Sequence, residues 1–335
     1  MIGFACTPSV GPPTTFDGLR ERGVDSSARL EYFPTVASPS GASSAPLPQS
    51  LGGMQVDVTA RLGAVAPATP TGLDSLDRML AGGLRTGTLL LLGGAPGTGK
   101  TALGLLVAYM AARTRAGVLL ASVALDPTEV MARLAARALH REFPDACSSY
   151  GRIWAGQAWQ DERTRRQVGA AVETVVKKVG SHLHLYAAEP FASTAELGER
   201  TAYLWGRHER VLLVVDGLEA FRAAGGGDPH RALTANSGFE SRVSQVAYEL
   251  AQIAGRGCAV VGTVGAHAQA LGAPAATVAC ELRAAASGIT PVPERLLALG
   301  ARSVELDVYK NRLGPTGLVP LRFVAGAGVF EERAP

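Results

Sequence analysis

The sequence has few of the features that mark exported, metal-bound or membrane-spanning proteins. Its four cysteines are far apart and form no Cys-x-x-Cys pair, which argues against a disulfide framework and against a zinc site. No segment approaches the run of about 20 apolar residues that a transmembrane helix needs. Residues 1–13 lack the basic start and the apolar run of a signal peptide. We therefore expect a cytoplasmic protein with no zinc and no membrane partner.

Excess charge of either sign is also missing. Lys and Arg outnumber Asp and Glu by 32 to 29, so the strong basic excess of a dedicated nucleic-acid-binding protein is absent. A local basic channel is still compatible with these totals, and single-stranded DNA stays open as a partner. Arg163, Arg165 and Arg166 could line such a channel, although a solvated helix face is the more common use of such residues.

Composition divides the chain into two parts. Residues 1–66 are dominated by Pro, Ser, Gly, Thr and Ala. This composition predicts a disordered leader, because too little apolar surface can be buried to offset the entropy of ordering the chain. A simple tail and a functional linker are both compatible with this leader. Residues 67–332 alternate short apolar runs with segments of helical periodicity and are predicted to form one domain.

The alternation in the second part predicts an α/β fold, with a mostly parallel sheet flanked by helices. The strands of this sheet are predicted at residues 88–92, 117–123, 182–186, 211–215 and 258–264, and the helices at residues 100–112, 127–140, 161–179, 193–208 and 239–255. The run at 211–215 is apolar throughout, as expected for a strand buried on both faces. Residues 304–309 and 318–323 bracket a glycine-containing turn and predict a C-terminal antiparallel hairpin.

A phosphate-binding loop follows the first predicted strand. The loop consists of Gly94, Ala95, Pro96, Gly97, Thr98, Gly99, Lys100 and Thr101 and fits the pattern Gly-x-x-x-x-Gly-Lys-Thr. Glycines let the backbone turn its N–H groups toward an anion, and the helix that follows points its positive end at the phosphates. Lys100 supplies a cation for the β- and γ-phosphates, and Thr101 offers a hydroxyl to Mg²⁺. The loop therefore predicts that the chain binds ATP with Mg²⁺.

An acidic residue completes the predicted magnesium site. Asp216 comes directly after the apolar run at 211–215, and the carboxyl end of a parallel strand lies on the ligand-binding rim of an α/β sheet. We therefore expect Asp216 to hold the metal together with Thr101. Because Asp216 and Gly217 also form a turn signal, a strand-ending turn is the alternative.

Two cations lie on the predicted C-terminal hairpin. Lys310 and Arg312 alternate along its first strand, so they share one face, and residues 314–317 (GPTG) reverse the chain after them. Two cations on a rigid hairpin suit the charge that develops on a γ-phosphate during transfer. A solvated pair that protects an edge strand is the alternative.

These motifs resemble the RecA-like P-loop ATPases of the DnaB helicase, RadA (Sms) and KaiC type, and above all the ATPase core of DnaB. Residues 71–77 (TGLDSLD), 82–84 (GGL) and Gly87 look like the lead-in to the phosphate loop of this family. Residues 309–317 (YKNRLGPTG) are similar to its C-terminal Lys-x-Arg-x-Gly segment. The resemblance implies a RecA-like core, a homo-oligomeric and hexameric ring, and roles for Lys310 and Arg312 at the ATP of a neighbouring subunit.

The sequence departs from this family at two positions. Leu125 stands where DnaB-like proteins have a glutamate that polarises the attacking water, and Val264 stands where they have a glutamine that senses the γ-phosphate. Leucine can neither accept a proton nor orient water. The sequence therefore predicts nucleotide binding and leaves the rate of hydrolysis open.

Two functions are compatible with these residues. The first is an ATP-driven, DNA-helicase-like motor in replication or repair, with Lys100, Asp216, Lys310 and Arg312 as its catalytic residues, and the complete hairpin motif favours it. The second is a slow or inactive nucleotide-binding regulatory or scaffold protein of the KaiC or RadA type, which the residues at the two departures favour.

Overall fold

A single sheet organises the part of the chain that the structure describes. The structure is a computed structural model, and it describes residues 50–63, 68–143, 148–224, 236–266, 269–285 and 292–333. The strands are β1 (Leu89–Gly93), β2 (Gly117–Ser122), β3 (Leu183–Ala187), β4 (Val211–Asp216), β5 (Ala259–Thr263), β6 (Val278–Ala284), β7 (Ala301–Asn311), β8 (Gly317–Val324) and β9 (Val329–Glu332). Within these residues their order across the sheet is β3-β2-β4-β5-β1-β6-β7-β8-β9.

Helices cover both faces of the sheet and fill the connections between strands. In chain order they are α1 (Gln55–Gly63), α2 (Asp74–Met79), α3 (Lys100–Arg113), α4 (Pro127–Glu142), α5 (Tyr150–Trp154), α6 (Glu162–Val179), α7 (Thr194–Trp205), α8 (Asn236–Gly255), α9 (Gln269–Gly272) and α10 (Glu294–Leu297). None of those in the described ranges is long and apolar enough to cross a membrane.

The first six strands across the sheet, from β3 to β6, are parallel to one another. This arrangement confirms the predicted α/β fold. The five predicted strands appear as β1 to β5, and no bound differs from the prediction by more than one residue. The side chains of β4 from Val211 to Val215 are buried, as expected for a strand covered on both faces.

Among the last four strands, β6 to β9, each strand pairs antiparallel with the next one along the chain. The predicted C-terminal hairpin is therefore correct, and it corresponds to β7 and β8. Strand β6 was not predicted from the sequence, although its residues from Cys280 to Ala284 alternate between apolar and polar (VACELRA). The sequence missed β9 because that strand has only four residues. The antiparallel part of the sheet is consequently twice as large as the sequence predicted.

The central strand β1 joins the two halves of the core. Leu90 and Leu92 pack among residues of α3, α4 and α6 on one face, and Leu89 and Leu91 pack among residues of α7 and α8 on the other. Each fully buried leucine contributes about 1.5–3 kcal/mol. The strand that carries the phosphate loop is thus held from both sides.

The described residues include one helix within the segment that composition predicts to be a disordered leader. Residues 1–49 and 64–67 lie outside the description, but residues 55–63 form α1. Its apolar side chains do not join the core, since Val56 and Leu62 are 81% and 77% exposed. The helix therefore has little tertiary packing to stabilise it.

Candidate phosphate-binding site

The predicted phosphate loop lies at the edge of the sheet where the parallel strands end. It connects β1 to α3, and β2, β4 and β5 end at the same edge, since Ser122 pairs with Asp216 and Leu92 pairs with Thr263. Ligands of open α/β sheets bind in the crevice at this edge. The fold therefore brings the end of the loop and Asp216 together, as the sequence predicts.

The backbone of the loop needs its glycines. Gly94, Gly97 and Gly99 have φ angles of 149°, 78° and 109°, a region that side chains with a Cβ disfavour. A Cβ on Gly94 would lie 2.5 Å from the carbonyl oxygen of Leu282, whereas a Cβ on Gly97 would meet no atom within 4 Å. The loop is thus tightly packed at Gly94 and open at Gly97, which suits the close approach of an anion to its backbone.

Lys100 folds back onto the loop. Its Nζ donates to the carbonyl of Gly94 at 2.7 Å and to that of Ala95 at 3.0 Å. Burial lowers the pKa of Lys100, and the negative charges of Glu219 and then Asp216 act in the opposite direction. The lysine is therefore a cation held at the loop by weak carbonyl acceptors that phosphate oxygens can replace.

The Asp216 carboxylate accepts hydrogen bonds from three side-chain hydroxyls. It accepts from Thr101 Oγ1 at 3.0 and 3.2 Å, from Thr263 Oγ1 at 2.9 Å and from Ser122 Oγ at 3.4 Å. A carboxylate beside a threonine hydroxyl is an oxygen donor set of the kind that Mg²⁺ prefers. The donor set fits Mg²⁺, and Thr101 and Asp216 are the residues that would hold it.

Lys310 and Arg312 lie at the other end of the strands from the phosphate loop. Lys310 is the penultimate residue of β7, and Arg312 follows the end of that strand by one residue, which corrects the prediction that both lie within it. Asn311 pairs with Val278, which pairs with Leu90 of β1, four residues before the loop begins. At a rise of about 3.3 Å per residue, the backbone at Lys310 lies roughly 10 Å, and at Asn311 roughly 13 Å, down the sheet from the start of the phosphate loop, with Arg312 beyond them.

The two cations of the hairpin are close to each other. Burial, and then the positive charge of Arg312, lower the pKa of Lys310. Lys310 Nζ donates to the carbonyls of Ala273 and Pro274 at 2.7 and 3.2 Å, while Arg312 is exposed. Arg312 is therefore exposed at the end of the hairpin, whereas Lys310 is held by carbonyls of its own subunit.

Asn311 holds the hairpin against the lead-in segment. Its Nδ2 donates to the carbonyl of Met79, the last residue of α2, at 2.9 Å and to that of Pro315 at 2.8 Å. A Cβ on Gly314 would lie 2.4 Å from the same Met79 oxygen. The end of α2 and the hairpin, which are far apart in sequence, are thus held together.

The comparisons with known proteins agree with this geometry. The family model of the DnaB-like helicase C-terminal domain matches residues 68–255, which is more than half of the chain. The chain belongs to this DnaB-like family. A search of the curated proteins found no match.

Two solved structures share the fold of this DnaB-like chain. One is described as a DnaB-like replicative helicase and its interactions with primase, and the other as the ATPase domain of a second protein. Their TM-scores are 0.65 and 0.64, each is 18% identical, and each match covers 84% of this chain and 67% or 98% of the other. The likeness confirms the RecA-like α/β core with its antiparallel C-terminal strands. Membership of the RadA or KaiC groups remains an interpretation.

The structure also shows where the two departures from the DnaB-like pattern lie. Leu125 is 5% exposed, and its backbone N–H donates to Ser122 Oγ at 3.2 Å. Val264 is fully buried. Both are buried apolar side chains, so neither replaces the polar residue that the family has there.

Sequence reasoning missed two charged residues beside the loop. The Arg302 guanidinium, from the start of β7, donates to the carbonyl of Gly97 and lies 4.9 Å from the ring centroid of Phe323. Glu219, three residues after Asp216, accepts from the backbone N–H of Gly265. The spacing of Glu219 from Asp216 could have been noticed in the sequence. Nothing local marks Arg302, because its approach to the loop depends on the register of β6 and β7.

Gly99→Ala is expected to lower the free energy of unfolding more than Gly97→Ala does. Both positions have positive φ angles, which cost a residue with a Cβ about 1–2 kcal/mol. A Cβ on Gly99 would also lie 2.8 Å from Phe323 Cε1, and overpacking of this kind typically adds about 1–3 kcal/mol. Urea unfolding of both variants without nucleotide measures the difference. Equal losses would contradict the packing of Gly99 on Phe323.

Proposed function

We propose that this chain is the ATP-driven motor domain of a DnaB-like DNA helicase that acts in replication or repair. The observation that carries the proposal is the bond between the Thr101 hydroxyl and the Asp216 carboxylate, beside a complete phosphate loop, in a member of this family. The similar structure described with primase is a replicative helicase, which supports replication as the setting. The proposed motor spans residues 67–332, follows the leader at 1–66 and works in the cytoplasm.

The proposed substrate is ATP with Mg²⁺. Backbone N–H groups of residues 97–99 would surround the β-phosphate, and Lys100 would exchange the carbonyls of Gly94 and Ala95 for β- and γ-phosphate oxygens. Thr101 and Asp216 would hold Mg²⁺, which neutralises the charge that grows on the phosphates during transfer. Their arrangement before any ligand arrives reduces the cost of ordering the site.

The proposed assembly is a hexameric ring of identical subunits. Lys310 and Arg312 are too far from their own phosphate loop to contact its nucleotide, yet they are close together at one edge of the sheet. A cation pair in this position suits the γ-phosphate of a neighbouring subunit. A ring in which each hairpin completes the next site accounts for this placement.

The proposed partner is single-stranded DNA. Arg163, Arg165 and Arg166 are exposed on α6, and Arg166 forms an ion pair with Glu162. Cations on an exposed helix can follow a phosphate backbone without reading its sequence. The alternative, a slow nucleotide-binding regulator or scaffold, is favoured by the buried Leu125 and Val264 and requires no DNA.

The rate of ATP hydrolysis with and without single-stranded DNA tests the proposal. The motor should be stimulated by DNA, and its affinity for the strand should fall steeply with salt, with a log–log slope of about 0.7 per phosphate contacted. Replacing Arg163 and Arg165 with glutamine should reduce this slope, whereas replacing Lys177 and Lys178, at the other end of α6, provides a matched control. Assembled protein that binds ATP but shows no DNA stimulation would favour the scaffold.

A further inference from the structure

Hydrolysis at this site needs a group that orients water, and the usual position does not supply one. Leu125 is apolar, and its backbone is tied to Ser122 Oγ. The carboxylate of Asp216 already accepts from Thr101, Thr263 and Ser122. Turnover would therefore need another group near the loop that can orient water, and a carboxylate is one such group.

Glu219 is a carboxylate in this region. Its negative charge opposes the effect of burial on the pKa of Lys100, and it does so more strongly than the charge of Asp216. Val264, the residue before Gly265, donates its N–H to the carbonyl of Leu92 in β1 at 2.9 Å, and Glu219 accepts from Gly265. Glu219 therefore lies at the strand ends from which the phosphate loop leaves β1.

The turn that carries Glu219 is rigid. Gly217 has a φ angle of 82°, and its N–H donates to Thr263 Oγ1 at 2.8 Å. Leu218 is fully buried and packs over Gly262. A Cβ added to Gly262 would lie only 2.6 Å from Leu218 Cδ1. The direction of Glu219 is therefore set by backbone and core contacts, which is what a reacting group requires.

The two carboxylate oxygens of Glu219 differ in their hydrogen bonding. Oε1 accepts from the N–H of Gly265, the residue that follows Val264 after β5. Within the described ranges, Oε2 has no hydrogen-bond partner. Glu219 thus lies between the end of β4 and the end of β5, beside the strand end that the phosphate loop also faces.

We infer that Glu219 is the catalytic base of this site and orients the water that attacks the γ-phosphate of ATP. This inference rests on the proposed function. The water oxygen forms the new bond to the γ-phosphorus, and the bond from that phosphorus to the bridging oxygen breaks. The proton of the water passes to the Glu219 carboxylate, and ADP leaves with the electron pair of the broken bond.

Glu219→Gln separates this role from a structural one. The amide oxygen of glutamine still accepts from Gly265 N–H, so the turn keeps its tether, but the amide cannot take a proton. General bases contribute about 10²–10⁴-fold to rates, so kcat should fall by that factor while the dissociation constant of ATP changes by less than about threefold. Glu199→Gln, an exposed glutamate on α7, is the matched control and should retain the rate of the unmodified protein.

The measurements are steady-state ATPase rates, fluorescent-nucleotide titration and thermal unfolding of the full chain. A Glu219→Gln rate close to that of the unmodified protein would reduce Glu219 to a tether and overturn the inference. An equal loss of rate and of ATP affinity, or an unmodified protein that binds ATP without hydrolysing it, would overturn it as well. If Glu219→Gln does not fold, Glu219→Asp keeps the charge but retracts it by one methylene, and an unchanged rate in that variant would also count against a catalytic role.

The inference and the proposed function can fail separately. Turnover that depends on Glu219 without any response to DNA would retain the catalytic base and exclude the helicase. DNA-stimulated turnover that does not change in Glu219→Gln would retain the helicase and exclude Glu219 as the catalytic base.

Discussion

Arg312→Ala should lower ATP turnover about 10³-fold or more while leaving ATP affinity nearly unchanged, because an arginine finger acts mainly on the charge of the transition state. The fold should be retained, since the Arg312 side chain is exposed and the hairpin is held by the bonds of Asn311 to Met79 and Pro315. Steady-state ATPase assays, together with nucleotide titration, measure the two quantities. Arg256→Ala, an exposed arginine at the same edge just before β5, is the matched control.

Mixing Arg312→Ala with Lys100→Ala subunits shows whether the arginine acts across an interface. In a mixed ring, some interfaces combine an intact phosphate loop from the first variant with an intact hairpin from the second. Partial activity should therefore return from two inactive proteins, and dilution should remove it as the rings dissociate. If light scattering shows that the variants co-assemble and no activity returns, the hairpin cations are only surface charges.

Lys100→Ala should weaken ATP binding by about 10- to 150-fold, because each charge-assisted hydrogen bond contributes about 1.5–3 kcal/mol. Stability should hardly change, since the hydrogen bonds of Lys100 Nζ go to carbonyls of its own loop. Fluorescent-nucleotide titration measures the affinity, and urea unfolding checks the fold. Lys177→Ala, an exposed lysine on α6, serves as the control, and unchanged affinity in a folded Lys100→Ala protein would contradict the assignment of the loop.

The residues whose positions the sequence predicts are those that follow from local pattern. The phosphate loop lies between a strand and a helix because the glycine spacing and the apolar run before it are contiguous. Asp216 meets Thr101 because parallel strands end at the same edge, and this geometry follows from the α/β alternation alone.

The residues that the sequence did not reveal depend on contacts between distant segments. Arg302 reaches Gly97 across 205 positions of sequence, through a strand register that involves β6, a strand that composition did not predict. The length of the antiparallel part of the sheet was missed for the same reason. Glu219 lies near the phosphate loop only because Gly217 and Leu218 set the path of the turn after β4.

The strand β7 has a mechanical consequence for a ring. Its first residues place Arg302 on the phosphate loop of its own subunit, and its last residues lead directly to Lys310 and Arg312 at the far edge. The two ends are roughly 30 Å apart at the usual rise per residue. β6 pairs with residues 304–311 of the strand and β8 with residues 301–308, so both neighbours hold its middle. A strand that is hydrogen-bonded on both sides resists a change in its length. Because Arg302 donates to the carbonyl of Gly97, β7 links the nucleotide loop of one subunit to the residues that, in the proposed ring, approach the next subunit.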